Sequence, residues 1–319
     1  MLSSFFGVPT RDRPFTALWL LLAGVFALAL QDGLIKDIAD LTSYWQFQSV
    51  RAVGILSLAV ILAIVGGGLY LLKPLRAGPV YLRACLMTAA MFCFFSGAPF
   101  LTITQMGAGL YTYPMFVTLL AGPVLGEKLG PWRLFALILG TAGATLVLSP
   151  WEDGFSPWQI LPIFAGFFYA TSILTIRKAC RFENTLAMAF AVGITFFTFN
   201  VIGCIVLSIS PLPLSLQERM PFVAIGWPTL TWIVIAIAGF TAILNLTGNL
   251  CLSRAYQTAD ASWLAPMEFS YLLFATFWGK TLFDTWPSSN SIAGMVFIGA
   301  AGVLTAWRES VRRRIQEGV

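Results

Sequence analysis

Four charged residues of this chain lie within long apolar stretches or at their ends: Asp32, Lys36, Arg51 and Glu268. A charged side chain in membrane hydrocarbon costs about 2.5–3.5 kcal/mol on insertion scales, so it is retained where it is paired or lines a water-filled cavity. Glu268 lies about eight residues into its run and could carry a proton or bind a cationic group. The structural alternative is a protonated carboxyl that fixes helix packing through a hydrogen bond.

The other three charges are expected at a similar membrane depth. Asp32 and Lys36 are four residues apart, so they share one face of a helix. Arg51 enters the next apolar stretch near the same level. We expect one charge network that could serve as an outer gate, with Asp32 and Arg51 as its strongest pair. The alternative is that Lys36 and Arg51 extend their charged ends to the membrane surface.

Uncharged polar and aromatic side chains in the same stretches are the next candidates. They could stack on a planar or zwitterionic solute and hydrogen-bond to it, or they could serve helix packing alone. The set is Tyr111, Tyr113, Tyr169, Asn245, Asn249, Trp263 and Tyr271. Pro114 and Pro266 each remove one backbone hydrogen bond from a helix, which is tolerated at membrane depth beside a cavity or partner. Their matching positions predict a binding site near the bilayer midplane.

Composition decides which class of protein must position these residues. The chain has 319 residues, of which 58% are hydrophobic and 10% charged, whereas soluble domains carry about 25% charged residues. Histidine is absent and the five cysteines form no ligand-like spacing, so we expect no metal, no cofactor and no disulfide framework. The net charge of +5 is divided among short segments between apolar runs, which argues against a nucleic-acid surface.

The apolar runs predict ten membrane-spanning helices, because about 20 apolar residues cross the hydrocarbon core. The predicted spans are 15–37, 44–70, 80–99, 105–125, 132–150, 157–177, 185–209, 229–252, 261–282 and 287–307. Lysine and arginine concentrate in alternate connections, which places both termini in the cytoplasm. No convincing cleavage site follows the first run, so we expect it to be a mature helix and not a signal peptide.

Two halves of the chain repeat the same order of features. Tyr113-Pro114-Met115 is followed by a glycine and acid pair and a glycine-rich span, and Ala265-Pro266-Met267 is followed by a similar series. Residues 1–150 and 151–319 therefore form two predicted repeats of five spans. An odd number of spans gives the repeats opposite orientations, an arrangement that many transporters use around a central site.

These features resemble the drug/metabolite transporter superfamily, and within it the EamA-type transporters with ten helices. The resemblance covers about 15–308 and depends on the segments 31–36, 113–128 and 266–284 together with Arg51. Asp284 stands where glutamate is commoner in that family. The resemblance implies a cavity among spans one, three, four, six, eight and nine, and transport without ATP hydrolysis, in some cases coupled to protons. It leaves the substrate open, and the oligomeric state too, with a homodimer as one option.

We therefore expect an all-α secondary transporter in the cell inner membrane that moves a small organic metabolite by alternating access. Amino-acid-like, nucleoside-like, flavin-like and amphipathic amine solutes all fit the mixture of acid, base and aromatic groups. An intramembrane enzyme and a channel remain as alternatives. No nucleotide-binding, serine-hydrolase or zinc-protease motif occurs, and no segment resembles an ion-selectivity filter.

Overall fold

A computed structural model describes residues 14–125, 131–148, 156–180, 183–258 and 265–317. Throughout these ranges the regular structure is helical and no β-strand occurs. Among the described residues, six helices are long and apolar enough to cross a membrane: Phe15–Asp37, Tyr44–Gly66, Ala77–Ser96, Pro157–Ile176, Thr185–Ile209 and Trp232–Leu252. Two further apolar helical segments, Ile138–Leu148 and Ser289–Leu304, are shorter.

The α-helices are labelled in chain order. They are α1 (Pro14–Asp37), α2 (Tyr44–Gly66), α3 (Ala77–Ser96), α4 (Ile103–Leu110), α5 (Tyr113–Leu125), α6 (Pro131–Leu148), α7 (Leu161–Ala179), α8 (Thr185–Ile209), α9 (Leu214–Arg219), α10 (Pro221–Ala224), α11 (Trp232–Thr258), α12 (Ser270–Phe283) and α13 (Ser289–Glu317). Short 3₁₀ turns cover Leu69–Leu72, Pro157–Ile160 and Ala265–Phe269.

The distribution of side chains is inverted relative to a soluble protein. Large apolar side chains such as Trp19, Ile138 and Ile205 are exposed on the outside of the bundle. Polar and charged side chains such as Asp32 and Arg51 are buried. This distribution is the one expected of helices whose outer surface meets lipid and whose polar groups face a protected interior.

The fourth predicted span, 105–125, is not one continuous helix but two, and the division lies close to the helix break that the sequence predicted at Pro114. α4 ends at Leu110, and α5 begins at Tyr113. Pro114 has no N–H to donate to the carbonyl of Leu110, so the helical ladder cannot continue there. The Thr112 hydroxyl instead donates to Gly109 O at 2.6 Å. Pro114 therefore lies in the first turn of α5, where a missing N–H costs little.

The ninth predicted span is also interrupted. The 3₁₀ turn Ala265–Phe269, which contains Pro266 and Glu268, precedes α12, and 261–264 lie outside the described residues. The sequence predicted that Glu268 lies eight residues into a continuous helix. In the structure it lies in a tight turn before an α-helix. The last helix is longer than predicted, because α13 continues to Glu317 and includes the three consecutive arginines at 312–314.

The interior is built from a small set of helix pairs. α1 packs on α11 and α12, α3 on α7 and α8, and α2 on α8 and α11. α5 packs on α7, and α6 on α13. Two of the crossings bring glycine backbones together, Gly24 with Gly248 and Gly143 with Gly294. The close approach of these helices fits the small-residue packing that membrane helices use in place of the hydrophobic effect.

Candidate solute-binding interior

Asp32 on α1 is a buried carboxylate held by two neutral donors. Its Oδ1 accepts a 3.0 Å hydrogen bond from Gln31 Nε2, and its Oδ2 accepts a 2.6 Å hydrogen bond from the Tyr271 hydroxyl on α12. Tyr271 is itself buried. Both oxygens of Asp32 are therefore occupied by groups that the sequence did not identify as its partners.

Arg51 on α2 does not form the predicted ion pair with Asp32. Its guanidinium carbon lies 5.6 Å from the centroid of the Phe95 ring and 6.0 Å from that of Phe196, within cation–π range of both. Arg51 is close enough to Asp32 and Tyr44 for a charge interaction. Within the described parts of the chain, however, its Nε and Nη1 have no hydrogen-bond partner.

Lys36 is occupied elsewhere, so the predicted three-residue network does not form. Its ammonium donates a 2.6 Å hydrogen bond to Ala98 O, just beyond the end of α3. It also lies 5.6 Å from the centroid of the Phe283 ring. Lys36 thus ties α1 to the end of α3, and the face that it shares with Asp32 does not bring the two charges together.

A line of aromatic rings runs through the interior from the Asp32 contact. Tyr271 stacks on Tyr111 with a centroid distance of 5.1 Å and an interplanar angle of 23°. Tyr111 meets Tyr113 edge to face at 5.9 Å, and Tyr113 meets Tyr169 in the same way at 5.0 Å. The turn at 111–112 makes this possible, because it places two tyrosines on either side of a helix break.

Glu268 lies at the other end of this line. Its Oε2 accepts a 2.6 Å hydrogen bond from the Tyr113 hydroxyl, and Glu268 is close enough to Tyr169 for a charge interaction. Arg83 on α3 is near the same Tyr169 hydroxyl. The structure therefore joins two interior carboxyls, Asp32 and Glu268, through hydrogen-bonded and ring-stacked tyrosines.

Some sequence candidates are not joined to this line. Asn245 on α11 is half-buried, and its backbone carbonyl accepts a hydrogen bond from the Asn249 amide one turn later. Trp263 lies outside the described residues. Asp284 is exposed at the end of α12 and forms an ion pair with Lys280, which holds the pKa of that carboxyl below its usual value.

Sequence reasoning missed several residues whose polar side-chain atoms are buried, among them Gln31, Tyr44, Gln48, Arg83 and Asn200. A signal for two of them was present, because Tyr44 and Gln48 precede Arg51 at helical spacing and so share its face. Arg83 was counted only as a charge that sets topology. No group of three or more histidine, cysteine or acidic side chains in the described ranges could hold a metal ion.

No model of a known protein family matches the chain. It is similar to a riboflavin transporter of Vibrio cholerae, with 27% identity over 66% of this chain and 65% of that protein. A riboflavin transporter of Brucella anthropi is 26% identical over 84% of this chain and 88% of its own length. An S-adenosylmethionine uptake transporter of Rickettsia bellii is 24% identical over 75% of both.

The chain thus spans slightly less than two thirds of the Vibrio cholerae relative and most of the Brucella anthropi one. These similarities and the six apolar helices identify a multi-pass membrane protein that is similar to transporters of small metabolites. A crystal structure also aligns over 95% of this chain and 96% of its own, with a TM-score of 0.48 and 18% identity, a likeness too distant to support an inference.

Proposed function

We propose that this chain is a secondary transporter that moves a small organic metabolite across the cytoplasmic membrane by alternating access. The observation that carries the proposal is the interior line from Asp32 through three tyrosines to Glu268, enclosed by a bundle whose surface is apolar. Ionisable side chains in such a position are costly and rare, and they commonly mark the path of a solute or ion. On this proposal the chain is an EamA-type member of the drug/metabolite transporters, and it is not an enzyme.

The helix pairing supports ten spans in two inverted repeats, at 1–150 and 151–319. The first five spans are α1, α2, α3, α4 with α5, and α6, and the last five are α7, α8, α11, α12 and α13. If each span is exchanged for its counterpart in the other half, the helix pairs named above are exchanged among themselves. The contact of α1 with α11 corresponds to that of α7 with α3, and the contact of α1 with α12 to that of α7 with α5. The contacts of α2 with α8 and of α6 with α13 correspond to themselves.

Contacts between connections support the proposed alternation of sides along the chain. Glu183, between α7 and α8, accepts hydrogen bonds from the backbone N–H groups of Leu75 and Arg76, between α2 and α3. Ser43, before α2, donates to Gly226 O, which precedes α11. Each contact joins two connections that the proposed topology places on the same side, the first in the cytoplasm and the second outside.

The stacked tyrosines favour a planar solute, and a flavin is the planar solute that two of the relatives suggest. Tyr271 and Tyr111 stack on each other in the interior, and aromatic rings of this kind also stack on flat heteroaromatic rings. Glu268 would take up and release a proton if transport is proton-coupled, with Tyr113 as its hydrogen-bond donor. We therefore propose a flavin-like metabolite as the first solute to test.

The experiment is counterflow in proteoliposomes. Vesicles that contain the purified chain are loaded with unlabelled riboflavin and diluted into radiolabelled riboflavin. A carrier accumulates label transiently above equilibrium, whereas a channel only equilibrates it. Vesicles without protein are the control, and vesicles loaded with an unlabelled nucleoside or amino acid and diluted into the same labelled solute test the other predicted classes. If no solute among the predicted classes shows counterflow, the proposed function is wrong.

A further inference from the structure

Four buried side chains around Arg51 carry polar atoms without a partner. We call them the Arg51 cluster: Tyr44, Gln48, Arg51 and Asn200. Three are fully buried, and Arg51 is 3% exposed. Among the residues that the structure describes, no hydrogen bond reaches Tyr44 OH, either amide atom of Gln48, Arg51 Nε and Nη1, or Asn200 Oδ1.

These side chains belong to one place in the fold. Tyr44, Gln48 and Arg51 follow each other at intervals of four and three residues, so they lie on one face of α2. Tyr44 is close enough to Arg51 for a charge interaction, and its hydroxyl lies beside the Asn200 side chain without reaching the geometry of a regular hydrogen bond. Asn200 on α8 keeps its amide nitrogen bonded to Phe196 O, and the Phe196 ring is one of the two that flank Arg51.

Leaving so many polar atoms unpaired is expensive. Each buried donor or acceptor without a partner destabilises the folded protein, and an unpartnered charged group does so more strongly. The neighbouring carboxylate does not supply the missing hydrogen bonds, because Asp32 interacts with Arg51 through charge alone and accepts from neither its Nε nor its Nη1. The Arg51 cluster must therefore be satisfied by something that enters it, either water or part of a solute.

The mixture of donors and acceptors restricts the solute group. Arg51 and the Gln48 amide nitrogen supply donors, while Gln48 Oε1 and Asn200 Oδ1 supply acceptors. A carboxylate would satisfy the donors and leave both acceptors unpaired. A planar cyclic imide, in which one N–H lies between two carbonyl groups, can accept from the donors and donate to one of the acceptors, and the phenylalanine rings beside Arg51 fit a flat group.

We propose that the Arg51 cluster recognises the imide edge of a planar solute. The inference rests on the proposed transport function and names the chemical feature that the protein selects. The imide edge is then recognised at α2, α3 and α8, and stacking of the planar ring takes place separately, at the line of tyrosines.

The test measures binding to the full-length protein in detergent by equilibrium dialysis. Riboflavin and uridine carry the imide edge, and their N3-methyl derivatives lack its N–H and have added bulk. Wild-type protein should bind at least one parent compound about tenfold or more tightly than its methylated form, because a site built to hydrogen-bond a group rejects the analogue without it. If neither pair shows a preference, the inference is wrong and water alone fills the cluster.

Gln48→Leu is the decisive variant. It should bind the parent compound no better than the methylated one, and it should unfold no more easily than wild type, since an unpartnered polar group becomes apolar. Gln217→Leu, on the short helix α9 and outside the cluster, should keep the preference. An unchanged preference in Gln48→Leu would overturn the proposal.

Counterflow separates this inference from the proposed function. Preference for the imide without counterflow would leave the recognition site intact and remove the transport proposal. Counterflow of a solute without any preference for the imide would support the transport proposal and overturn the imide inference. Arg51→Lys, which keeps the charge and changes the donor geometry, should weaken parent binding more than binding of the methylated compound.

Discussion

Tyr271 on α12 donates a 2.6 Å hydrogen bond to Asp32 on α1, across 239 residues of sequence. The contact joins a helix of the first predicted repeat to one of the second, and it ends the line of tyrosines that leads to Glu268. Asp32 is therefore held by a neutral donor on a different helix, and any movement of α12 against α1 must break or carry this bond.

Removing the hydroxyl tests this contact. Tyr271→Phe leaves Asp32 Oδ2 without its donor, so we expect unfolding to become easier by about 1–3 kcal/mol and solute uptake to fall about tenfold. Thermal unfolding in detergent and proteoliposome uptake measure the two effects. Tyr70→Phe, at an exposed position, is the control and should change neither. Equal effects of the two substitutions would show that the bond to Asp32 is unimportant.

A charge exchange tests whether Asp32 and Arg51 act as a pair. Because Asp32 is bonded to Gln31 and Tyr271 and not to Arg51, Asp32→Arg combined with Arg51→Asp should not restore the uptake that either single substitution loses. Uptake by the double variant should stay at the level of the weaker single variant. Recovery to half of wild-type uptake or more would reveal a direct pair in another conformation of the transport cycle.

Glu268→Gln tests proton coupling. The amide oxygen can still accept from the Tyr113 hydroxyl, so the variant should fold normally, while it can no longer exchange a proton. Uptake measured over a series of external pH values should lose its pH dependence. Asp284→Asn, which alters an exposed carboxyl, should keep that dependence. A normal pH profile in Glu268→Gln would remove this residue from the coupling mechanism.

Two glycines of α13 provide a matched test of helix packing. A Cβ at Gly294 would lie 2.5 Å from Gly143 O and 2.7 Å from Val147 Cγ2, whereas at Gly299 it would meet no described atom within 4 Å. Gly294→Ala should therefore destabilise the protein by about 1–3 kcal/mol through overpacking, and Gly299→Ala should be nearly neutral. Equal thermal midpoints for the two variants would contradict the close crossing of α6 and α13.

Much of the helix arrangement was predictable because apolar run length is a local property. The bounds of α8, Thr185–Ile209, coincide with the predicted span. The sequence placed the helix break at Pro114, whereas the helix ends at Leu110. The missing N–H of Pro114 leaves the carbonyl four residues upstream without its donor, and the residue that carries this carbonyl gives no sign of a break. The ten-span count and the inverted repeats remain predictions that the helix pairing supports.

The interior contacts were less predictable, because they depend on which helices become neighbours. Nothing near Asp32 in sequence indicates that Tyr271 will supply its donor. The expectation of a pair with Arg51 rested on membrane depth alone, and depth does not fix the direction of a side chain. Arg83 shows a second limit of sequence analysis. A basic residue near the end of a span is interpreted as a charge that sets membrane topology, even when its side chain faces the interior.

The central claim is that two halves of opposite orientation enclose the polar interior. Single cysteines at Asp40 and Lys178, both exposed, mark the ends of the first and sixth spans in a background where the five native cysteines are replaced. A membrane-impermeant maleimide should label position 40 in intact cells, and position 178 only after the membrane is permeabilised. Labelling of both positions from the same side would contradict the inverted arrangement and the alternating-access mechanism built on it.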